Sequence, residues 1–142
     1  MGFWIFMMAM ELLIPLIMII FGKYFSKQAP KEINYLFGYR TSMSMKNKDT
    51  WEFAHKYYGR LWLKIGWIMF VVSFIIMLFV FGKSEQVIGT WGGALCMVQI
   101  VVLVASIFPT ERALRKNFDK YGNRKKCVVL ILLLNYDSLK KL

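Results

Sequence analysis

Metal and disulfide chemistry have little to work with in this chain. It holds two cysteines, Cys96 and Cys127, and a single histidine, His55. With no CxxC pair, a zinc site lacks ligands. Cys96 falls in an apolar run and Cys127 in a basic tail, at different depths, so no bridge between them is expected. A phosphate-binding glycine loop is missing, as is any recognised catalytic constellation. The sequence therefore reads as a non-enzyme, with no catalytic residue, no metal and no cofactor. Myristoylation is excluded because Met1-Gly2 lacks the Ser or Thr wanted at position six. The first apolar run lacks a basic leader and a small-x-small cleavage site, so a retained helix is expected rather than a signal peptide. Acidic residues are also scarce: 8 Asp and Glu against 19 Lys and Arg give a net charge of +11.

Apolar surface, by contrast, is abundant, at 58% hydrophobic and 17% aromatic residues. It concentrates in three runs, at residues 3–22, 65–82 and 87–108. At about 1.5 Å per helical residue, each can cross a hydrocarbon core about 30 Å thick. The expected fold is an all-α integral membrane protein with three transmembrane helices. A single membrane domain covers 1–142, with a cytoplasmic loop 23–64 and a cytoplasmic tail 109–142. Residues 23–60 hold eight basic and three acidic residues, and residues 109–142 nine and three. The link between the second and third runs has only Lys83 and Glu85. Lys and Arg collect in cytoplasmic connectors, so both basic pieces are placed inside, the N-terminus outside and the C-terminus in the cytoplasm. Span parity agrees. The basic charge then reads as topology plus contact with anionic lipid headgroups, with no nucleic acid as partner.

Within the spans, Glu11 lies about 12 Å below the outer boundary. A carboxyl at that depth costs on the order of 3 kcal/mol, so a partner is expected. Ser73 reaches a similar depth from the outer end and Gln99 a somewhat greater one; either can hydrogen-bond to Glu11. Two readings stay open, a proton or ligand site and an interhelical bond that orients the bundle. Pro15 is expected to kink the first helix. Gly89 and Gly93 form a weak GxxxG pair, suited to packing within the monomer or to a homo-oligomer.

The connectors carry further signals. Pro30 and Gly38 make residues 23–47 irregular. Asp49 with Glu52 predicts a capped helix start. Trp51, Ala54, His55, Tyr58, Trp62 and Ile65 recur at helical spacing opposite Lys56, Arg60 and Lys64. An amphipathic helix over 49–64 is therefore expected at the cytoplasmic interface before the second span, with Gly59 as a bend point. Thr110 to Tyr121 predicts a short basic helix stopped by Gly122. The run Val128 to Leu134 is too short to span.

The most varied stretch runs from Ile33 to His55. Arg40 can fork onto a carboxylate or phosphate. Thr41, Ser44 and Asn47 can hold an irregular loop through backbone bonds. Trp51 can anchor the following helix at the interface. A polar recognition site, a loop satisfying its own polar groups, and an arginine on lipid phosphate all remain open.

The strings Gly38-Tyr39-Arg40-Thr41 and Ser44-Met45-Lys46-Asn47, and Thr50-Trp51 with Ala54, resemble the signature of the SdpI family. These are bacterial membrane immunity proteins against a secreted killing peptide, the sporulation-delaying toxin. The resemblance extends through the two following helices to a Glu-containing stretch like Glu111 to Gly122. It implies protection against a membrane-active peptide toxin, by binding the toxin or guarding its target. It also implies a signalling role, in which the protein sequesters a cytoplasmic regulator. The candidate binding residues are Asn34, Gly38, Tyr39, Arg40, Thr41, Ser44, Asn47, Trp51 and Ala54, with Glu11, Ser73 and Gln99 as intramembrane polar positions. A third, weaker reading is an enzyme or transporter acting on a lipid or small anion, with Glu11 as acid, Arg40 as anion clamp and His55 as base.

Overall fold

The computed structural model describes residues 1–125, so Cys127 and the expected short run 128–134 lie outside the described residues. Four helices follow in order among the described residues: α1 Gly2–Lys27, α2 Lys48–Phe79, α3 Glu85–Ala105 and α4 Ile107–Asn117. Among the described residues there is no strand, only an isolated bridge between Phe118 and Arg124. Helices Gly2–Lys27, Lys48–Phe79 and the nearly continuous Glu85–Asn117 are long and apolar enough to cross a membrane. The chain is a multi-pass membrane protein. Residues such as Ile68, Val71, Val98 and Val101 point outward from the bundle, as lipid-facing side chains must.

The elements overrun the apolar runs that announce them. α1 continues past residue 22 to Lys27, because Phe25 is buried against the rest of the protein while Lys23 and Lys27 can extend to water. It passes through Pro15, which is buried, without interruption. α2 is one unbroken helix of 32 residues, about 48 Å long, so about 18 Å of it exceeds the hydrocarbon core. Residues 49–64 are thus continuous with the span, and Gly59 marks no break. The Trp51, Ala54, His55 and Tyr58 stripe is covered by protein rather than laid on a membrane surface.

The α2 start also differs from the expected Asp49–Glu52 cap. Asn47 is the N-cap: its side-chain oxygen accepts from Thr50 N at 2.9 Å, and Thr50 Oγ1 accepts from Asn47 N at 3.1 Å. A threonine hydroxyl closes the box as a glutamate would. Glu52 instead pairs with Lys56 one turn on, at 2.6 Å.

Glycine sets the contact between α1 and α2. A Cβ on Gly22 would lie 2.6 Å from Leu63 N and 2.9 Å from Gly59 O. Gly59 is therefore a crossing point where the two backbones touch, which only hydrogen side chains allow. On α3 the expected Gly89–Gly93 pair makes no such backbone contact within the chain. A Cβ on Gly93 would meet open space, whereas Gly92 packs against Met7 and Glu11.

The third span and α4 are separated at Ser106. Pro109 has no N–H to offer the Ala105 carbonyl, so the helix ladder breaks there and resumes in α4. α4 stops at Asn117, short of the expected Tyr121. Phe118 is extended and buried, and Gly122 (φ +86°) makes a turn that returns the chain to Asn47.

Two apolar clusters result. At the end of the α2–α3 turn, Met77, Val80, Ile88 and Leu95 pack with Trp4 and Met7, and Trp4 Nε1 donates to Met77 O at 2.8 Å. At the opposite, loop-bearing end, Tyr39, Met43, Ala54, Tyr58, Leu114 and Phe118 form the second.

Candidate functional site: a clasped loop and a buried polar cluster

The loop end is assembled by side chains that hold backbone. Gly38 adopts φ +106°, open to glycine at little cost, and any Cβ there would strike the His55 ring. Its conformation delivers Tyr39 N to His55 Nε2 at 2.9 Å. Nε2 accepts, so the other ring nitrogen carries the proton, and Nδ1 donates to Trp51 O at 2.8 Å. His55 is thus a neutral, fully buried clasp between loop and helix. Burial lowers its pKa below 6.5, opposed in part by the Trp51 carbonyl.

Around the clasp, Trp51 Nε1 donates to Pro30 O at 2.9 Å. Ser44 Oγ accepts from Thr41 N at 2.8 Å and reaches Tyr39 O at 3.0 Å. Thr50 Oγ1 reaches Ser44 O at 3.1 Å, and Asn47 Nδ2 donates to Gly122 O at 2.7 Å. Asn34 Oδ1 accepts from Leu36 N and Phe37 N at 3.1 and 3.0 Å, a side-chain turn that shapes the loop tip. Ala54 is fully buried where the loop packs on α2. Tyr39 OH donates to Glu111 Oε1 at 3.0 Å and ties the loop to α4. Burial, then the Glu111 charge, push the Tyr39 pKa well up, so the phenol stays a donor. Arg40 differs from its neighbours. It is exposed, donates to Tyr35 O, and has no carboxylate partner among the described residues.

In the membrane, Gln99 Nε2 donates to Glu11 O at 2.9 Å and Ser73 Oγ at 2.9 Å, with Glu11 Oε2 at 3.3 Å. The structure brings Glu11, Ser73 and Gln99 together, all nearly fully buried. Gln99 Oε1 is buried and has no partner among the described residues. The combination of Glu11, Arg40 and His55 is not one site. Phe25 stacks edge-on against His55 at 5.0 Å, and Glu11 lies fourteen residues earlier on α1, about 21 Å away.

The model of the SdpI/YfhL protein family matches residues 31–110, more than half the chain. The protein belongs to that family. The matched region of this SdpI/YfhL member holds residues 31–47 of the clasped loop, α2, α3 and the start of α4, while Pro30, Glu111 and Gly122, which also tie the loop, lie just outside it. Glu11 and the rest of α1 precede it. No curated protein and no solved structure matches the chain. Three features of the site escaped sequence reasoning: His55 as the clasp, Glu111 as the Tyr39 partner, and the Gly22–Gly59 crossing. The Gly59–Gly66 spacing of seven, two helical turns on one face of α2, was the available signal for the crossing.

Proposed function

We propose that this SdpI/YfhL family member is a membrane immunity protein. It protects its cell from a secreted membrane-active peptide, by binding the peptide or guarding its target. The observation that carries this reading is the family match across residues 31–110. The bundle adds a reason of its own: it keeps a polar cluster, Glu11–Ser73–Gln99, in an otherwise apolar membrane layer at a cost in insertion energy. An ionisable group held at that depth is a functional candidate, and a peptide entering the bilayer would reach it where the helices part.

The orientation in this reading puts the loop end in the cytoplasm. The loop and α4, which carry much of the basic charge, pack together at one end of the bundle, and cytoplasmic segments collect Lys and Arg. The toxin then arrives at the opposite end, near the Lys83–Glu85 turn. The loop acts as a scaffold rather than as the toxin contact.

The test is expression in a toxin-sensitive bacterium followed by challenge with the killing peptide. Survival should rise, and unchanged sensitivity at verified membrane abundance refutes immunity against that peptide. Orientation is checked with Lys46→Cys and Glu85→Cys in a background with Cys96 and Cys127 replaced by serine. A membrane-impermeant maleimide on intact cells should label position 85 and spare position 46.

A further inference from the structure

Beside the clasped loop, a groove of about 380 Å³ opens between α1, the segment 37–41, α2 and the α3–α4 junction. Its volume falls within the ligand-site range of about 300–1,000 Å³. Ile17, Phe21, Trp62 and Ile107 line its apolar length, and Arg40 and Thr41 stand at its mouth. Ile17, Phe21 and Ile107 are all partly exposed, so the groove faces outward, where the bilayer lies.

Depth matches chemistry along this groove. Ile17 sits about 8 Å below the end of the first apolar run, within hydrocarbon. The 37–41 segment packs at the level of Phe25 and His55, past that end, which sets Arg40 at headgroup level. The loop tip beside Arg40 is itself apolar: Tyr35 is 82% and Leu36 89% exposed. The Asn34 side chain fixes that tip in place. Two such exposed side chains on an ordered turn dip into the interface and bring Arg40 to phosphate height. Arg40 keeps unused N–H donors, because its one hydrogen bond here is to Tyr35 O and no carboxylate neutralises it among the described residues.

We infer that this groove binds one anionic phospholipid, with an acyl chain along Ile17, Phe21, Trp62 and Ile107 and the phosphate on Arg40 and Thr41. The inference does not depend on the immunity reading or on which leaflet the loop faces. A bound lipid covers apolar surface that the chain leaves open and pairs the exposed guanidinium. It also locks the loop against α1.

Native mass spectrometry of the purified protein in dodecyl maltoside tests this, with titrated dioleoylphosphatidylglycerol or dioleoylphosphatidylcholine. One phosphatidylglycerol should be retained, several-fold more tightly than phosphatidylcholine. Excess inorganic phosphate should leave it in place. Arg40→Gln should weaken phosphatidylglycerol by about tenfold and erase the preference. Ile107→Trp, which fills the groove, should reduce retention of both lipids. Equal binding of the two lipids by the wild type, or phosphatidylglycerol held undiminished by Arg40→Gln, overturns the proposal. Displacement by inorganic phosphate reassigns Arg40 to a free anion and also overturns it, as does a dimer that buries this face and excludes lipid. Should Arg40→Gln fail to fold, Ile107→Trp decides: undiminished retention refutes the site.

Discussion

The two polar regions of this molecule are built on opposite plans. At the loop end, side chains from Thr41, Ser44, Asn47, Thr50, Trp51 and His55 each meet backbone groups, and the network fixes one conformation of an irregular segment. In the membrane cluster a single amide faces three acceptors with two protons, while its own oxygen has no donor among the described residues. The first region uses polar groups to specify shape. The second holds hydrogen-bonding capacity in reserve where solvent cannot supply partners. Stability should therefore reside at the loop end, and changes in the membrane cluster should cost little folding energy.

The largest expected effect comes from Gly38→Ala. The substitution imposes a left-handed backbone cost and drives a methyl group into His55, breaking the Tyr39 N–H bond. A loss of about 3 kcal/mol is expected in denaturant unfolding of the detergent-solubilised protein. A loss under about 1 kcal/mol would mean that the clasp contributes little. Asn47→Ala comes next. It removes the α2 cap and the bond to Gly122 together, and about 2 kcal/mol should disappear.

How much of this was legible in the sequence depended on whether a signal was local. The three spans follow from runs of apolar residues, and depth arithmetic alone set Glu11, Ser73 and Gln99 at comparable levels. Loop-holding by Thr41, Ser44 and Asn47 follows from the local bonding habits of those residue types. The clasp was not legible, because His55 meets Tyr39 only after the loop folds back over α2. The helix start was misplaced by two residues because Asn47 and Thr50 outcompeted the more obvious Asp49 and Glu52. Nor does the sequence say which of three glycines in Gly89, Gly92 and Gly93 faces Met7, since that depends on the rotation of α3 against α1.

A smaller, pH-dependent loss should come from His55. Its folded-state pKa is depressed by burial, so the unfolded chain binds a proton more readily. The neutral clasp contributes fully above 6.5, and that contribution is lost as pH falls from 6.5 towards the lower folded value. Unfolding midpoints compared at pH 7.5 and 5.5 should show the decline. His55→Gln should flatten it, because an amide can take the place of the ring without titrating. A decline of the same size in His55→Gln would assign it to other groups.

The smallest effect is expected in the membrane cluster, and it carries the comparison furthest. Gln99→Leu removes donors to Glu11 and Ser73, yet it also removes the unpartnered Oε1. Hydrogen bonds between membrane helices contribute on average about 0.6 kcal/mol, because unfolded helices in lipid find substitute partners. Two such bonds are lost and the removal of Oε1 offsets part of that, so a net loss of no more than about 1 kcal/mol is expected, with the helical content of the bundle intact. If the proposed immunity uses this cluster, protection against the peptide should fall even though the protein stays folded. That separation of function from stability is what an incompletely satisfied amide permits and a fully satisfied clasp does not. A loss above about 2 kcal/mol would show instead that Gln99 holds the helices together as firmly as His55 holds the loop, and the contrast between the two regions would fail.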